Sequence, residues 1–285
     1  MSTKKISIII ANYNNGHFFN DCFRSLVNQT SQDWEAIVID DKSTDDSAVV
    51  IIELIKEDRR FRFYQNNENI GYQKTLIRGI ELSESSLFAR LDPDDALEPH
   101  AIAKSIETHE LFPQAGLVYS NFTYCDRNLN RLNVSHAKQV DDLNEDYLNF
   151  NAEISHFASF KKEIYKQTSG IDTFIKRAED KDIYMKMCEV ARVKYINENL
   201  YLYRLHNQSI SSHDNSNKAL FWHWVALIKM AERTNTSIET LFVDSFISKN
   251  ELKEKLRRPL KSKWAKLGYK IGLFKAYKQL QDILK

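Results

Sequence analysis

Hydrophobic and polar positions along the first half of the chain alternate between two periods. Residues 6–11 form an unbroken apolar run, as expected of a strand buried on both faces. Phe18, Phe19, Cys22, Phe23, Leu26 and Val27 then recur at helical spacing. Residues 36–39 make a second buried run, and Ser43, Thr44 and Asp45 offer cap chemistry for a helix through Val49, Ile52 and Ile55. The pattern continues with a strand over 61–64, a helix over 72–82, a strand over 87–91, a helix over 102–112 and a fifth strand over 116–122. Strands alternating with helices of this length predict an α/β fold whose mostly parallel sheet is covered on both sides.

The second half is less regular. Residues 154–160 and 193–196 read as strands, with helices near 161–168 and 180–189 between them. After about Ser212 the pattern is helical to the end, with a break expected at Pro259. The chain therefore divides into a domain over 1–212, with halves at 1–122 and 123–212, and a helical region over 213–285. No internal repeat is present.

Composition changes this picture in two places. Residues 249–285 carry twelve Lys/Arg against three Asp/Glu, while the whole chain has a formal charge of +1, so the body is acidic and the tail basic. In the tail, Leu260, Trp264, Leu267, Ile271 and Phe274 recur as one helical stripe among Lys261, Lys263, Lys266 and Lys270. Two readings stay open: a helix docked on its own domain or on a second copy, and an interfacial helix touching anionic lipid. No nucleic-acid motif accompanies the charge.

Cys22, Cys125 and Cys188 lack CxxC pairing, which fits a reducing compartment and gives no disulfide frame or zinc site. Two lysines lead straight into residues 6–11, a run too short for a signal-peptide core. No apolar run approaches the ~20 residues that span a bilayer. The cytoplasm is the expected compartment, with the inner face of the cell membrane as the surface an interfacial tail would touch. Asn-x-Ser/Thr matches at Asn28, Asn133 and Asn207 are read as chance.

In an open parallel sheet, ligands bind at the carboxyl ends of the strands. Those ends are where the acidic and amide clusters fall. Strand one closes with Ala11-Asn12-Tyr13-Asn14, strand two with Asp40-Asp41, and strand four with Asp92-Pro93-Asp94-Asp95. Asp and Asn are also common in turns and caps, so a single cluster would mean little. Two at successive strand ends point to a hard divalent cation, Mg²⁺ or Mn²⁺, bridging carboxylates and phosphate oxygens. Glycine-rich GxGxxG and GxxxxGK[ST] loops are absent, which argues against a dehydrogenase or a P-loop NTPase.

These segments carry a resemblance. SIIIANYNN, WEAIVIDDKSTDDS, NIGYQKTLIRGI and RLDPDDALEPH resemble the donor-binding half of a family 2 glycosyltransferase with the GT-A fold. ISHFASFKKEIYKQTSGID, RAEDKDIYMKM and YLYRLHNQSIS resemble that family's acceptor-side segments in the same order. The resemblance implies an inverting, metal-assisted transfer of a sugar from a nucleotide diphosphate, UDP foremost, to a hydroxyl of a glycan or lipid-linked saccharide. It implies that Tyr13 and the backbone near Ala11 pack on the base and that Asp41 hydrogen-bonds to it, with Asp40 in the same donor-binding set. Asp92 would approach the ribose, and Asp94 the metal.

His206 matches a histidine that joins the metal shell in many GT-A enzymes; its alternative is a surface histidine. Glu179-Asp180 matches the motif whose aspartate is the general base, the group that removes the acceptor hydroxyl's proton. Asp180 could instead be only a partner of the helix dipole. Asp95 and Glu179 are secondary candidates. Asp182, two residues further along the helix, would point elsewhere. Where relatives carry Ala-Arg-Asn this chain has Lys74 to Gly79, so Lys74 or Arg78 would meet the diphosphate, or Arg78 would sit on a solvated face. Ala11 replaces a proline common in the family. A QxxRW motif is absent, which argues for single additions rather than polymer extrusion. Two other classes remain: a nucleotide-sugar-binding module without turnover, and an interaction scaffold using its basic helices.

Overall fold

A computed structural model describes residues 4–141, 143, 145–206, 216–243 and 247–283. The first strand, β1 (Ile6–Asn12), is buried at every position, and so is β2 (Trp34–Asp40) after the connecting helix α1 (Phe19–Val27). Continuous burial explains why neither strand shows alternation: both faces meet helices. Helix α2 (Ser47–Ile55) leads to β3 (Phe61–Gln65), and α3 (Tyr72–Leu82) to β4 (Leu87–Arg90). Gly79 seats α3 on β1, since a Cβ there would collide with Ile9. That close approach fixes the helix whose first residue, Tyr72, reaches the site below.

The chain continues through β5 (Ala96–Leu97), α4 (Ala101–Leu111), β6 (Ala115–Cys125), β7 (Arg131–Ser135), a short 3₁₀ turn at Glu145–Leu148, β8 (Ser159–Lys161) and α5 (Lys162–Tyr165). Helix α6 (Glu179–Val190), the long strand β9 (Arg192–Arg204) and α7 (Ser216–Thr234) follow. One sheet takes the order β3-β2-β1-β4-β8-β6-β9-β5, with β7 paired to β6. β3, β2, β1 and β4 are parallel, β8 runs antiparallel between β4 and β6, and β6 and β9 are parallel. The sheet is thus parallel in its first half and mixed beyond β4, where a mostly parallel sheet was expected.

Register places the site. Asn12 pairs with Asp40, and Ile9 with Arg90, so β1, β2 and β4 end along one edge. Beneath that edge, Ile6, Ile8, Ile10, Phe19, Leu26, Trp34 and Val38 belong to the main core, all with negligible exposure.

Three expectations change. The strand expected over 154–160 is only Ser159–Lys161. Ser120 holds the upstream part by side-chain bonds instead of a ladder, its Oγ accepting from Phe157 N–H at 2.8 Å while its carbonyl accepts from Ser155 Oγ at 2.9 Å. The strand expected over 193–196 extends to Arg204, because its partner β6 offers a long parallel ladder. The helical tail is not one stripe. Helix α8 (Ile238–Phe242) precedes α9 (Ser248–Lys261), which runs through Pro259 and stops at Ser262. Ser262 caps α10 (Lys263–Lys270), and Gly272 at φ 78° turns the chain before α11 (Tyr277–Ile283). The break comes at Ser262 rather than Pro259: Ser262 is extended and its side chain accepts from the Ala265 N–H, starting the next helix.

Contacts divide the chain into compact units over 1–230 and 231–285. The boundary expected at 212, the end of the last matched motif and Asn207 lie outside the described residues. In the second unit Tyr277 donates to the Leu260 carbonyl at 3.0 Å and stacks on Tyr269, whereas Trp264 and Leu273 are more than four-fifths exposed. Among the described residues no helix is long and apolar enough to cross a membrane.

Candidate active site

The ends of β1, β2 and β4 form one wall of a cleft of about 1110 Å³. Asp40 lies behind that wall. It is fully buried and accepts from Asn12 Nδ2 at 2.8 Å, Gln65 Nε2 at 2.9 Å and the Ser43 N–H at 3.0 Å. Burial alone would raise its carboxyl, but the bonds from Gln65, Ser43 and Asn12 outweigh this and hold it below the usual carboxylate range. Asp40 is therefore an internal brace, not a cleft residue.

Asp41 lines the cleft and ties the loop before α3: it accepts from Ile70 N–H and Gly71 N–H, each at 2.9 Å, and from Asn66 Nδ2 at 2.7 Å. Ala11 and the half-exposed Tyr13 line the same wall. Lys74 is exposed and Arg78 donates to the Gln65 carbonyl and Asn66; neither lines the cleft.

The loop after β4 sorts its three aspartates. Asp92 accepts from the Tyr72 hydroxyl at 2.7 Å and pairs with Arg90 at 3.6 Å. Asp95 is buried, accepting from the Tyr201 hydroxyl at 2.7 Å and the Arg204 N–H at 2.8 Å. Asp94 meets His206, with Oδ2 and Nε2 2.7 Å apart. The end of β9 makes this possible across more than a hundred residues, because Arg204 bonds the Asp94 carbonyl and Asp21 and so docks the strand beside the loop.

A second wall comes from α6, α7 and the turn after the 3₁₀ segment. Asp180 and Glu179 open α6, next to Ala178 in the left-handed conformation. Glu179 Oε1 accepts from Arg90 Nη1 at 3.2 Å. Burial and the neighbouring Asp180 charge push Glu179 up to about 7 against the pull of Arg90. Asp180 Oδ1 accepts the Lys181 N–H at 2.8 Å. Burial would raise Asp180, yet the charges of Arg90 and Lys181 and the bond from the Lys181 N–H oppose it, and the carboxyl stays below its ordinary range. His156 stacks on Tyr201 at 4.8 Å, and burial with the Arg90 charge lowers it to about 3, so the ring is neutral. Asp182 is wholly buried in a 2.6 Å pair with Lys186. It stays out of the cleft, as its spacing from Asp180 implies.

Asp94 and His206 offer one oxygen and one nitrogen at hydrogen-bond separation. Among the described residues no third His, Cys, Asp or Glu completes a ligand group with them. The pair fits a divalent cation of the kind that takes few protein ligands and fills its shell with phosphate oxygens and water.

Tyr72, Arg90, His156, Arg177, Lys181 and His223 also line the cleft without having been singled out from the sequence. Arg90 carried a signal, a cation closing an apolar strand just before the acidic loop. Tyr72 follows the one glycine at φ 90°. His156 and His223 sit in irregular or helical surroundings with no local mark.

The family model for glycosyl transferase family 2 matches residues 7–169. Chondroitin synthase of Escherichia coli is 30% identical over 207 residues, which is 72% of this chain and 30% of that protein, so the chain spans less than a third of this relative. The structure of S. aureus TarS 1–349 in complex with UDP superposes with a TM-score of 0.65 at 18% identity, covering 97% of this chain and 80% of that one. Mannosyltransferase PcManGT from Pyrobaculum calidifontis, in complex with GDP-Man and Mn²⁺, gives 0.65 at 13% identity, covering 100% and 86%.

Proposed function

Because the chain belongs to glycosyl transferase family 2 and has the GT-A fold, we propose that it is an inverting glycosyltransferase. It moves a sugar from a uridine diphosphate carrier to a hydroxyl of a glycan or lipid-linked saccharide, with a divalent cation. The observation that carries this reading is that Asp94, His206 and Asp180 open into one cavity of about 1110 Å³. That is at or above the roughly 300–1,000 Å³ of small-ligand sites, room for two substrates. The UDP complex of TarS and the GDP-Man and Mn²⁺ complex of PcManGT support a nucleotide donor and a cation.

Asp94 and His206 would hold the cation, which when bound supplies charge neutralisation for the departing diphosphate. Tyr13 and Ala11 receive the base, and Asp41, with both oxygens accepting from the chain, keeps the 66–71 loop in place beside it. The acceptor oxygen forms its bond to C1 as the bond from C1 to phosphate oxygen breaks, the electron pair leaving with the nucleoside diphosphate. The hydroxyl proton passes to Asp180. Its depressed pKa keeps Asp180 ionised at neutral pH, ready to accept that proton. Glu179 titrates closer to neutrality, but Arg90 engages its carboxylate, so geometry favours Asp180.

The test is product stereochemistry. With Mn²⁺, a panel of α-linked UDP-sugars and soluble saccharide acceptors, proton NMR should show a β-glycoside. An α-glycoside would sink inversion, and turnover of GDP-mannose in place of every UDP-sugar would sink the uridine assignment.

A further inference from the structure

Lys181 is a cation whose charge helps to hold the Asp180 carboxyl down but which has no bond to make in the proposed transfer step. Its ammonium is held by two neutral acceptors, the Asn149 carbonyl at 2.8 Å and His223 Nδ1 at 3.4 Å. The tautomer follows from the other side of the ring. His223 Nε2 lies 2.8 Å from the Leu148 carbonyl, which can only accept, so Nε2 carries the proton and Nδ1 presents its lone pair to Lys181. An ammonium has three N–H groups, and with two so engaged the third is available to the cleft that Lys181 lines.

Holding a charge in such a place is costly. Burial lowers the Lys181 pKa, with the Asp180 and Glu153 charges opposing that fall. Tying down the Asn149 carbonyl would need only a neutral donor. A cation kept part-buried on the wall of a cavity suits an anion that arrives there. Arg177 lines the same cavity just ahead of the left-handed Ala178 turn, and Phe150 and Leu220 give it an apolar surface alongside.

Position decides which substrate brings the anion. The partners that fix Lys181 belong to α7 and to the turn after the 3₁₀ segment, not to the strand ends carrying Tyr13, Asp41 and Asp94. Its immediate neighbour is Asp180, the group that faces the attacking hydroxyl. We propose that Lys181, with Arg177 lining the same cleft, forms an anion subsite for the acceptor, so that the acceptor is a saccharide bearing a carboxylate or phosphate close to the hydroxyl that attacks. This inference rests on the glycosyltransferase reading above.

The experiment uses the full chain, first titrated with UDP and Mg²⁺ alone. Failure of wild-type protein to bind UDP would remove the glycosyltransferase reading itself and is seen before any saccharide is added. The UDP-saturated protein is then titrated with a glucuronate-terminated disaccharide, its methyl ester, a glycerol-phosphate-bearing disaccharide and its unphosphorylated counterpart. At least one acidic probe should bind about tenfold or more tighter than its neutral twin, and which pair splits tells carboxylate from phosphate. In Lys181→Met the margin should fall to about threefold or less with UDP affinity nearly unchanged, while Lys181→Arg, which keeps the charge if the methionine variant folds poorly, should retain most of it. Equal binding of acidic and neutral probes to wild type overturns the proposal. So does a Lys181→Met variant that loses UDP affinity and keeps the margin, since the ammonium would then serve the donor.

Discussion

The strand wall and the helix wall of the cleft both carry carboxylates, and they hold them by different means. On the strand wall the acids are engaged by the protein: Asp40 by Asn12, Ser43 and Gln65, Asp41 by two backbone amides and Asn66, Asp95 by Tyr201 and Arg204. Asp94 differs in its partner, His206, its fellow candidate for the cation. On the helix wall Asp180 accepts an N–H of its own helix and is surrounded by cations and a neutral histidine. The contrast teaches that a run of acids at strand ends is mostly scaffolding. On the proposed mechanism each wall supplies one carboxylate for chemistry, Asp94 and Asp180.

The sharpest way to break this contrast is to remove the proposed base. Asp180→Asn keeps the shape of the helix wall and should lower kcat by about 10²–10⁴-fold in a steady-state transfer assay. Donor KM should stay within about threefold, because nothing on the strand wall changes. Unchanged turnover would take Asp180 out of the mechanism and leave it as a partner of the helix dipole.

Arg90 spans the two walls, pairing with Asp92 and Glu179, so its loss should be smaller and of a different kind. Arg90 holds the Asp180 carboxyl down, and without it the folded pKa rises toward or past the ordinary value. The ionised base is then lost at a higher pH on acidification. Arg90→Gln should move the acid limb of the kcat profile upward by about one pH unit or more, with about a tenfold loss at neutral pH. A uniform loss with no movement of the limb would mean that Arg90 acts only through packing.

How much of this was legible follows from how each wall is made. The strand wall could be read because buried parallel strands are continuous apolar runs, and the residues that end them, Asn12, Asp40 and Asp92 among them, fall at one edge by register. Even there the sequence did not separate Asp40, a brace, from Asp94, because the difference lies in bonds from Gln65 and His206 far along the chain. The helix wall was legible only at Glu179-Asp180, where a motif marks the start of α6. Lys181, His156 and His223 are brought together by an irregular segment and a helix whose spacing shows no convergence. The tail misled for a related reason: Leu260 to Phe274 keep helical spacing, yet Ser262 and Gly272 stop the helix locally. Lys74 and Arg78 share α3 with Tyr72, but neither lines the cleft.

The central claim is a division of labour, a cation and diphosphate with Asp94 and His206 on one side and proton removal by Asp180 on the other. Calorimetric titration of UDP with and without Mn²⁺ in wild type, Asp94→Ala and Asp180→Asn tests it directly. The account predicts that Mn²⁺ tightens UDP binding about tenfold or more in wild type and Asp180→Asn, and that Asp94→Ala loses this gain. Retention of the Mn²⁺ effect in Asp94→Ala, or its loss in Asp180→Asn, would contradict it.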